Sequence, residues 1–273
     1  MILPFYKYHG SGNDFVIIDN RRRKFKFEGF LKQAVIAGIC HRQYGIGADG
    51  MIILQPERNA DFRMEYYNAD GKEGSLCGNG SRSIVAFAHQ TGIIKETKTT
   101  FKAVDGLHKA VITDISKNKY EVSVQLNDVA APKTLNPGEF FIDTGSPHLI
   151  IFNEHLWKID VIEAGREIRN SPPWKVDGIN VNFVKILDKQ TIAVRTYERG
   201  VERETLSCGT GATAAAISAW MYNNNKSITH YRINTNGGGL DVSFDAPTET
   251  KRAFTNVWLH GPAQLVFEGS IKL

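Results

Sequence analysis

Apolar and polar residues alternate in Phe5-Tyr6-Lys7-Tyr8-His9, and the alternation ends in a glycine turn, Gly10-Ser11-Gly12-Asn13-Asp14. A strand-like Phe15-Val16-Ile17-Ile18 follows. Leu31, Val35 and Ile39 recur every four residues and predict one face of an amphipathic helix over 30–40. Met51-Ile52-Ile53-Leu54 and Phe62-Arg63-Met64-Glu65-Tyr66 read as strands, and Ser83-Ile84-Val85-Ala86-Phe87-Ala88 as a helix. Further strands are expected at 109–112 and 121–126. Pro132 and Pro137 then mark residues 127–138 as a boundary. The second half repeats much of this order. A helical pattern lies near 154–169, strands at 181–185 and 191–196, a second small-residue helix at 214–219, and strands near 231–233 and 240–244. Short strands around one such helix per half imply an α+β protein with mixed or antiparallel sheets, because no steady strand–helix alternation builds a parallel doubly wound sheet.

The two small-residue helices share a prefix. Cys77-Gly78-Asn79-Gly80-Ser81-Arg82 runs into the first and Cys208-Gly209-Thr210-Gly211-Ala212-Thr213 into the second, each with a glutamate four residues upstream, Glu73 and Glu204. A cysteine at a helix start meets unpaired backbone N–H groups and the positive end of the helix dipole. That setting stabilises a thiolate and binds an anion such as a carboxylate. Either motif alone reads as a buried cysteine beside a turn; the pair points to two acid/base thiols serving one substrate.

Composition narrows the function. The chain has 273 residues, 42% of them apolar, and a formal charge of +4. It is long enough for two domains with a sizeable core. The basic run Arg21-Arg22-Arg23-Lys24 has no aromatic platform or zinc-finger spacing beside it, so no nucleic-acid partner is expected. No stretch has the length of a membrane span, Met1-Ile2-Leu3-Pro4-Phe5 lacks the basic and apolar parts of a signal peptide, and the three cysteines are widely spaced. A cytoplasmic protein with free thiols and no membrane partner is the expectation. Gly45-Ile46-Gly47-Ala48-Asp49-Gly50 has dinucleotide-fingerprint spacing, but a helical pattern precedes it and a strand follows, the reverse of the order that binding needs. Neither His-Glu-x-x-His nor Cys-x-x-Cys occurs, so no metal is expected. Cys40, on the apolar face of the 30–40 helix, reads as core packing.

Two distant thiols suit proton transfer to both faces of one carbon better than a redox pair, which usually sits close in sequence. They also suit it better than nucleophilic catalysis, which needs one cysteine and a base. Racemisation or epimerisation next to a carboxylate fits. Asn13, Asn68, Asn79 and Asn180 lie in or beside turns and Glu198-Arg199 precedes a glycine; each also reads as ordinary turn or surface chemistry.

At these residues the sequence resembles the diaminopimelate epimerase family. The likeness runs through His9-Gly10-Ser11-Gly12-Asn13-Asp14-Phe15, Gly45–Gly50, Tyr67-Asn68-Ala69-Asp70-Gly71, Cys77-Gly78-Asn79-Gly80, Gly145-Ser146-Pro147-His148, Asn180-Val181-Asn182-Phe183, Tyr197-Glu198-Arg199-Gly200 and Cys208-Gly209-Thr210-Gly211. The resemblance implies a cofactor-independent enzyme interconverting LL- and meso-2,6-diaminopimelate in the synthesis of lysine and peptidoglycan precursors. It implies two similar domains, residues 1–127 joined by 262–273, and residues 128–261. Each would be a mixed or antiparallel sheet wrapped around a central helix, with the active cleft between them. Cys77 and Cys208 would be the acid/base pair, assisted by His148 and Glu198. Asn13, Asn68, Asn180, Glu198 and Arg199 would hold the polar ends of a small amino-acid substrate, and the N–H groups of Gly78, Asn79, Gly209 and Thr210 the carboxylate next to the reacting carbon. A homodimer is compatible with this reading. Ser146 stands where many members have asparagine, and Gly50 where some have glutamine, so a glutamine contact there is expected to be absent or made by backbone. The rival readings are another two-cysteine racemase, of the proline type, and a thiol redox sensor.

Overall fold

The amino-terminal alternation forms β1 (Ile2–Gly10) and β2 (Asn13–Asp19), joined at Ser11 and Gly12, whose φ angles are 52° and 82°. Two successive positive φ values define the tight hairpin that matches strand twist. The structure is a computed structural model and describes residues 2–223 and 226–273. The chain divides into two compact units, Met1–Val124 with Gly261–Leu273, and Gln125–His260.

The first unit continues with α1 (Gly29–Cys40), β3 (Gly50–Gln55), β4 (Phe62–Asn68), α2 (Gly78–Gln90), β5 (Lys98–Ala103), β6 (Gly106–Ser116) and β7 (Lys119–Gln125). β2 pairs with β3 in parallel across α1, β3 with β4 antiparallel, and β4 with β5 in parallel across α2; β5, β6 and β7 follow antiparallel. The second unit holds β8 (Val129–Ala130), β9 (Lys133–Asn136), β10 (Glu139–Asp143), β11 (Pro147–Phe152), α3 (Val161–Asn170), β12 (Asn180–Ile186), β13 (Thr191–Glu198), β14 (Arg203–Thr205), α4 (Gly209–Tyr222), β15 (His230–Thr235) and β16 (Gly238–Asp245). Its pairings come in the same order. β10 and β11 are antiparallel, β11 and β12 parallel across α3, β12 and β13 antiparallel, β13 and β15 parallel across α4, then β15 and β16 antiparallel. The last strand, β17 (Ala253–Lys272), starts in the second unit and ends in the first.

In each unit one helix is buried on all sides. Residues 78–88 of α2 are all buried, against β1, β2, β3, β4 and β6. Residues 209–219 of α4 are likewise buried, against β10 to β13, β15 and β16. A helix buried all round needs small or apolar side chains on every face, which the Ala, Gly, Ser and Thr of both segments supply.

Three expectations change. The buried face of α1 is Ile36, Ile39 and Cys40, while Leu31 is exposed and Val35 only packs at the rim of that core. The helical pattern near 154–169 splits into a 3-10 turn, Leu156–Lys158, and α3, because the Asp160 carboxylate captures the N–H groups of Ile162 and Glu163 and starts the helix there. The stretch 127–138 carries β8 and β9, with Pro132 and Pro137 just outside β9, where no ladder N–H is required.

Candidate active site

Both cysteines occupy the N-cap position, with extended backbone, of a helix buried on all sides: Cys77 caps α2 and Cys208 caps α4. Both are half-buried, whereas Cys40 is buried. Burial pushes the Cys40 thiol up to about 12, which leaves it protonated and inert.

In the first unit the Cys77 sulfur accepts the Gly80 N–H at 3.4 Å and donates to Asn13 Oδ1 at 3.8 Å. The direction of that second bond is set by Asn13, whose Nδ2 is committed to Asp49 at 2.9 Å, leaving its oxygen toward the sulfur. Asn79 Nδ2 shares the same oxygen at 3.3 Å. The hairpin at Ser11-Gly12 is what brings Asn13 there. Beneath the helix start lies Arg82, 0% exposed, which donates to Asn79 Oδ1 at 2.6 Å, the Gly78 carbonyl at 3.3 Å and the Pro262 carbonyl at 3.4 Å. Burial pulls the Arg82 guanidinium down to about 10, with Cys77 and Glu121 acting to keep it charged. Asn68 ends β4 exposed, its Oδ1 accepting the Tyr66 hydroxyl at 3.1 Å.

In the second unit Thr210 Oγ1 lies 3.5 Å from the Cys208 sulfur and 3.0 Å from His148 Nε2. The other ring nitrogen of His148 meets Asn182 Nδ2 at 3.0 Å. Burial, then the charge of Arg199, pushes the His148 imidazole down to about 3, so it is neutral at ordinary pH. Thr144 donates to the Thr210 carbonyl at 3.0 Å and Thr213 to the Gly209 carbonyl at 3.0 Å, which fix the helix start. Asn180 binds within the protein, its Oδ1 taking the Arg199 N–H at 2.8 Å and its Nδ2 reaching the Pro147 carbonyl at 3.1 Å. Arg199 Nη1 donates to the Asp177 carbonyl at 2.9 Å, and Glu198 accepts the Thr205 hydroxyl at 3.0 Å.

Asn13, Cys77, Gly78 and Asn79 thus gather in one unit, and His148, Cys208, Gly209 and Thr210 in the other, with Asn180 and Arg199 joined to each other. The repeated upstream glutamates do not share a role: Glu73 is exposed and bridges Tyr67, while Glu204 pairs with Arg195 at 2.8 Å. Arg82 and Asn182 went unassigned in the sequence, although both lie in quoted motifs. The only sequence signal for either was a polar residue inside a predicted helix or strand. Among the described residues no group of His, Cys, Asp and Glu is arranged to hold a metal ion, and no helix is long and apolar enough to cross a membrane.

A family model described as diaminopimelate epimerase matches residues 5–130 and 140–266. A diaminopimelate epimerase from Flavobacterium psychrophilum is 45% identical over 271 residues, 98% of this chain and 100% of that one. One from Aquifex aeolicus is 39% identical over 282 residues, 98% of each chain. The chain belongs to the diaminopimelate epimerase family. Its fold is also found in far more distant proteins. A phenazine biosynthesis protein of the PhzF family from Bacillus anthracis has a TM-score of 0.76 at 15% identity, covering 100% of both chains. A hydroxyproline epimerase from Agrobacterium vitis has a TM-score of 0.72 at 15% identity, covering 100% of this chain and 93% of that one.

At Gly50 this member of the diaminopimelate epimerase family has no room for a side chain. A Cβ there would lie 2.6 Å from the Tyr66 ring and 2.6 Å from the Tyr67 carbonyl, so the Tyr66 phenol fills that space and its hydroxyl reaches Asn68. At Ser146 the residue is 9% exposed and its carbonyl accepts the Thr144 N–H at 3.2 Å, which ties it to the residue bracing α4.

Proposed function

We propose that this protein interconverts LL- and meso-2,6-diaminopimelate by two-base proton transfer, with Cys77 and Cys208 as the acid/base pair. The observation that carries the reading is the building of a thiol at the N-cap of a fully buried helix once in each unit. One thiolate removes the α-proton from one face of the carbon and the opposite thiol delivers its own from the other. The α-proton of an amino acid is very weakly acidic, so the developing charge must be met by preorganised donors in a site that excludes water. The backbone N–H groups of Gly78, Asn79, Gly209 and Thr210 are the donors assigned to the reacting carboxylate. Arg199 is assigned to the distal carboxylate, where its planar fork gives two parallel hydrogen bonds. Asn13, Asn68, Asn180 and Glu198 are assigned to the remaining polar groups. His148 acts through Thr210 rather than on substrate. The chemistry falls to the thiols and backbone dipoles without a cofactor, in the reducing cytoplasm that keeps thiols free.

The test is direct. Purified reduced protein is incubated with LL-diaminopimelate and the products are separated by chiral chromatography, with proline as the comparison substrate. Appearance of the meso form with proline untouched is expected. Proline inversion without meso-diaminopimelate would reassign the substrate.

A further inference from the structure

The hydrogen-bond chain behind Cys208 has only one consistent direction. Asn182 is 0% exposed. The Thr196 hydroxyl donates to its Oδ1 at 2.9 Å, and its Nδ2 faces the Leu149 carbonyl at 3.2 Å, which fixes the amide. Nδ2 therefore donates to His148 Nδ1. A neutral ring that accepts at Nδ1 carries its proton on Nε2, which donates to Thr210 Oγ1. With its oxygen occupied as acceptor, the Thr210 hydroxyl has its own proton left for the Cys208 sulfur.

We infer that Asn182 is a positioning residue for the thiol chemistry. By holding His148 in the neutral Nε2–H form it turns the Thr210 hydroxyl proton toward Cys208 and favours the ionised form of that sulfur. The inference deepens the function proposed above and takes its catalytic meaning from it.

Two further observations support it. A Cβ on Gly211 would lie 2.5 Å from Asn182 Oδ1, so the helix start approaches Asn182 as closely as glycine allows. In the first unit the equivalent strand positions are apolar. Phe15 pairs with Gly50 as His148 pairs with Asn180, which makes Ile52 the counterpart of Asn182. The counterpart of the Asn182–His148 pair is thus apolar on the Cys77 side, where the thiol proton is accepted by Asn13.

Other charges around α4 have their own partners. On β10, Glu139 takes the Asn136 amide and Asp143 the Gly145 N–H. Lys185 on β12 reaches Glu154, Arg195 on β13 pairs with Glu204, and His230 and Arg232 on β15 share Asp241 on β16. Glu198 at the end of β13 and Arg199 just after it are held by Thr205 and Asp177, and Asp245 at the end of β16 is exposed. In the first unit the charge of Arg82 favours an anion at Cys77, so the relay is measured sulfur by sulfur.

The experiment reads tautomer and titration rather than turnover. Nitrogen-15 NMR of the histidine rings should show His148 neutral and protonated on Nε2 in the unmodified protein. The pH at which iodoacetamide labels each cysteine at half its maximal rate is then mapped by mass spectrometry. Asn182→Asp keeps the shape but accepts where the amide donated, so His148 should move its proton to Nδ1 and the Cys208 midpoint should rise by about one pH unit or more. The Cys77 midpoint should stay. Thr210→Val should raise the Cys208 midpoint with the His148 tautomer unchanged, and serves if Asn182→Asp fails to fold. An Nδ1–H ring in the unmodified protein, or a Cys208 midpoint unmoved in both variants, overturns the inference. A protein that shows these shifts yet leaves diaminopimelate unchanged overturns the proposed function instead.

Discussion

The two thiol sites share a backbone and differ in what lies beneath it. Against Gly80, in the first turn after Cys77, sit the tips of Ile52 and Met64, with the buried Arg82 guanidinium further along the helix. Under Cys208 sit Asn182 and a neutral histidine, and the position matching Arg82 is Thr213. Both arrangements hold the same helix start: Arg82 donates to the Gly78 carbonyl, Thr213 to the Gly209 carbonyl. One unit uses a fixed charge, the other a chain of neutral hydrogen bonds. A repeated fold can therefore keep two thiols in the same place on the backbone while surrounding them with different chemistry.

Removing either sulfur tests whether the halves are equally required. Cys77→Ala and Cys208→Ala should each lower epimerisation by about a thousandfold or more, read as meso product by chiral chromatography. In heavy water each variant should still exchange the α-proton of one stereoisomer, and the two should choose opposite ones. If both exchanged the same isomer, the opposed-thiol mechanism would be lost.

The glycines just inside each helix should respond unequally. Gly211→Ala drives a methyl against Asn182 Oδ1 at 2.5 Å and Cys208 Sγ at 3.3 Å, whereas Gly80→Ala meets the mobile ends of Ile52 at 3.1 Å and Met64 at 3.2 Å. Gly211→Ala should cost about a hundredfold in kcat/KM, because a displacement near 1 Å has that effect. Gly80→Ala should stay within about tenfold, since flexible apolar tips can yield. Equal losses would mean that the two floors are equally rigid.

Stability should separate the charge from the hydroxyl. Arg82→Met removes the guanidinium donations to the Gly78 and Pro262 carbonyls and Asn79 Oδ1 and should destabilise by about 2–3 kcal/mol in urea unfolding, against about 1 kcal/mol for Thr213→Val. A smaller cost for Arg82→Met than for Thr213→Val would show that desolvating the guanidinium offsets its hydrogen bonds.

The last test uses acid. His148 is held near 3 in the fold against an ordinary value near 6.5, so between those values the unfolded chain binds a proton that the native protein refuses. Its contribution to stability is complete above about 6.5 and is lost as pH falls toward about 3, at up to about 1.4 kcal/mol per pH unit. His148→Phe, which copies Phe15, should remove this slope from the pH dependence of urea unfolding. An unchanged slope would show that His148 does not carry it.

Much of the common frame was legible in the chain. The cysteine, the glycines and the small residues behind them set both helix starts, because capping and burial are local demands. The difference between the sites was not. Asn182 lies in the strand expected at 181–185, where the sequence alone assigns it no role; only the parallel pairing of β11 with β12 puts it beside His148. Arg82 gets no role from the sequence, because nothing local says that a helix start will be buried on every side. The space beside Gly50 belongs to Tyr66, a residue of β4, so no reading of the glycine segment alone reveals it. α1 failed in the opposite way. Its four-residue repeat is real, but tertiary packing selects Ile36 and Cys40 over Leu31.

The path of β17 bears on how the molecule is made. Residues 264–272 pair with β1 from His9 back to Ile2, so β1 finds one of its two neighbouring strands only after the 125–260 unit that lies between them in sequence has been made. The other unit is contiguous in sequence, from 125 to 260. During synthesis β1 has one paired side, against β2, and one bare edge with its backbone groups unmet, the kind of template on which nascent chains associate. Closing that edge joins residues far apart in sequence, a slow step by loop-closure entropy. Until it happens, the half carrying Cys77 waits on residues 264–272, while the half carrying Cys208 does not.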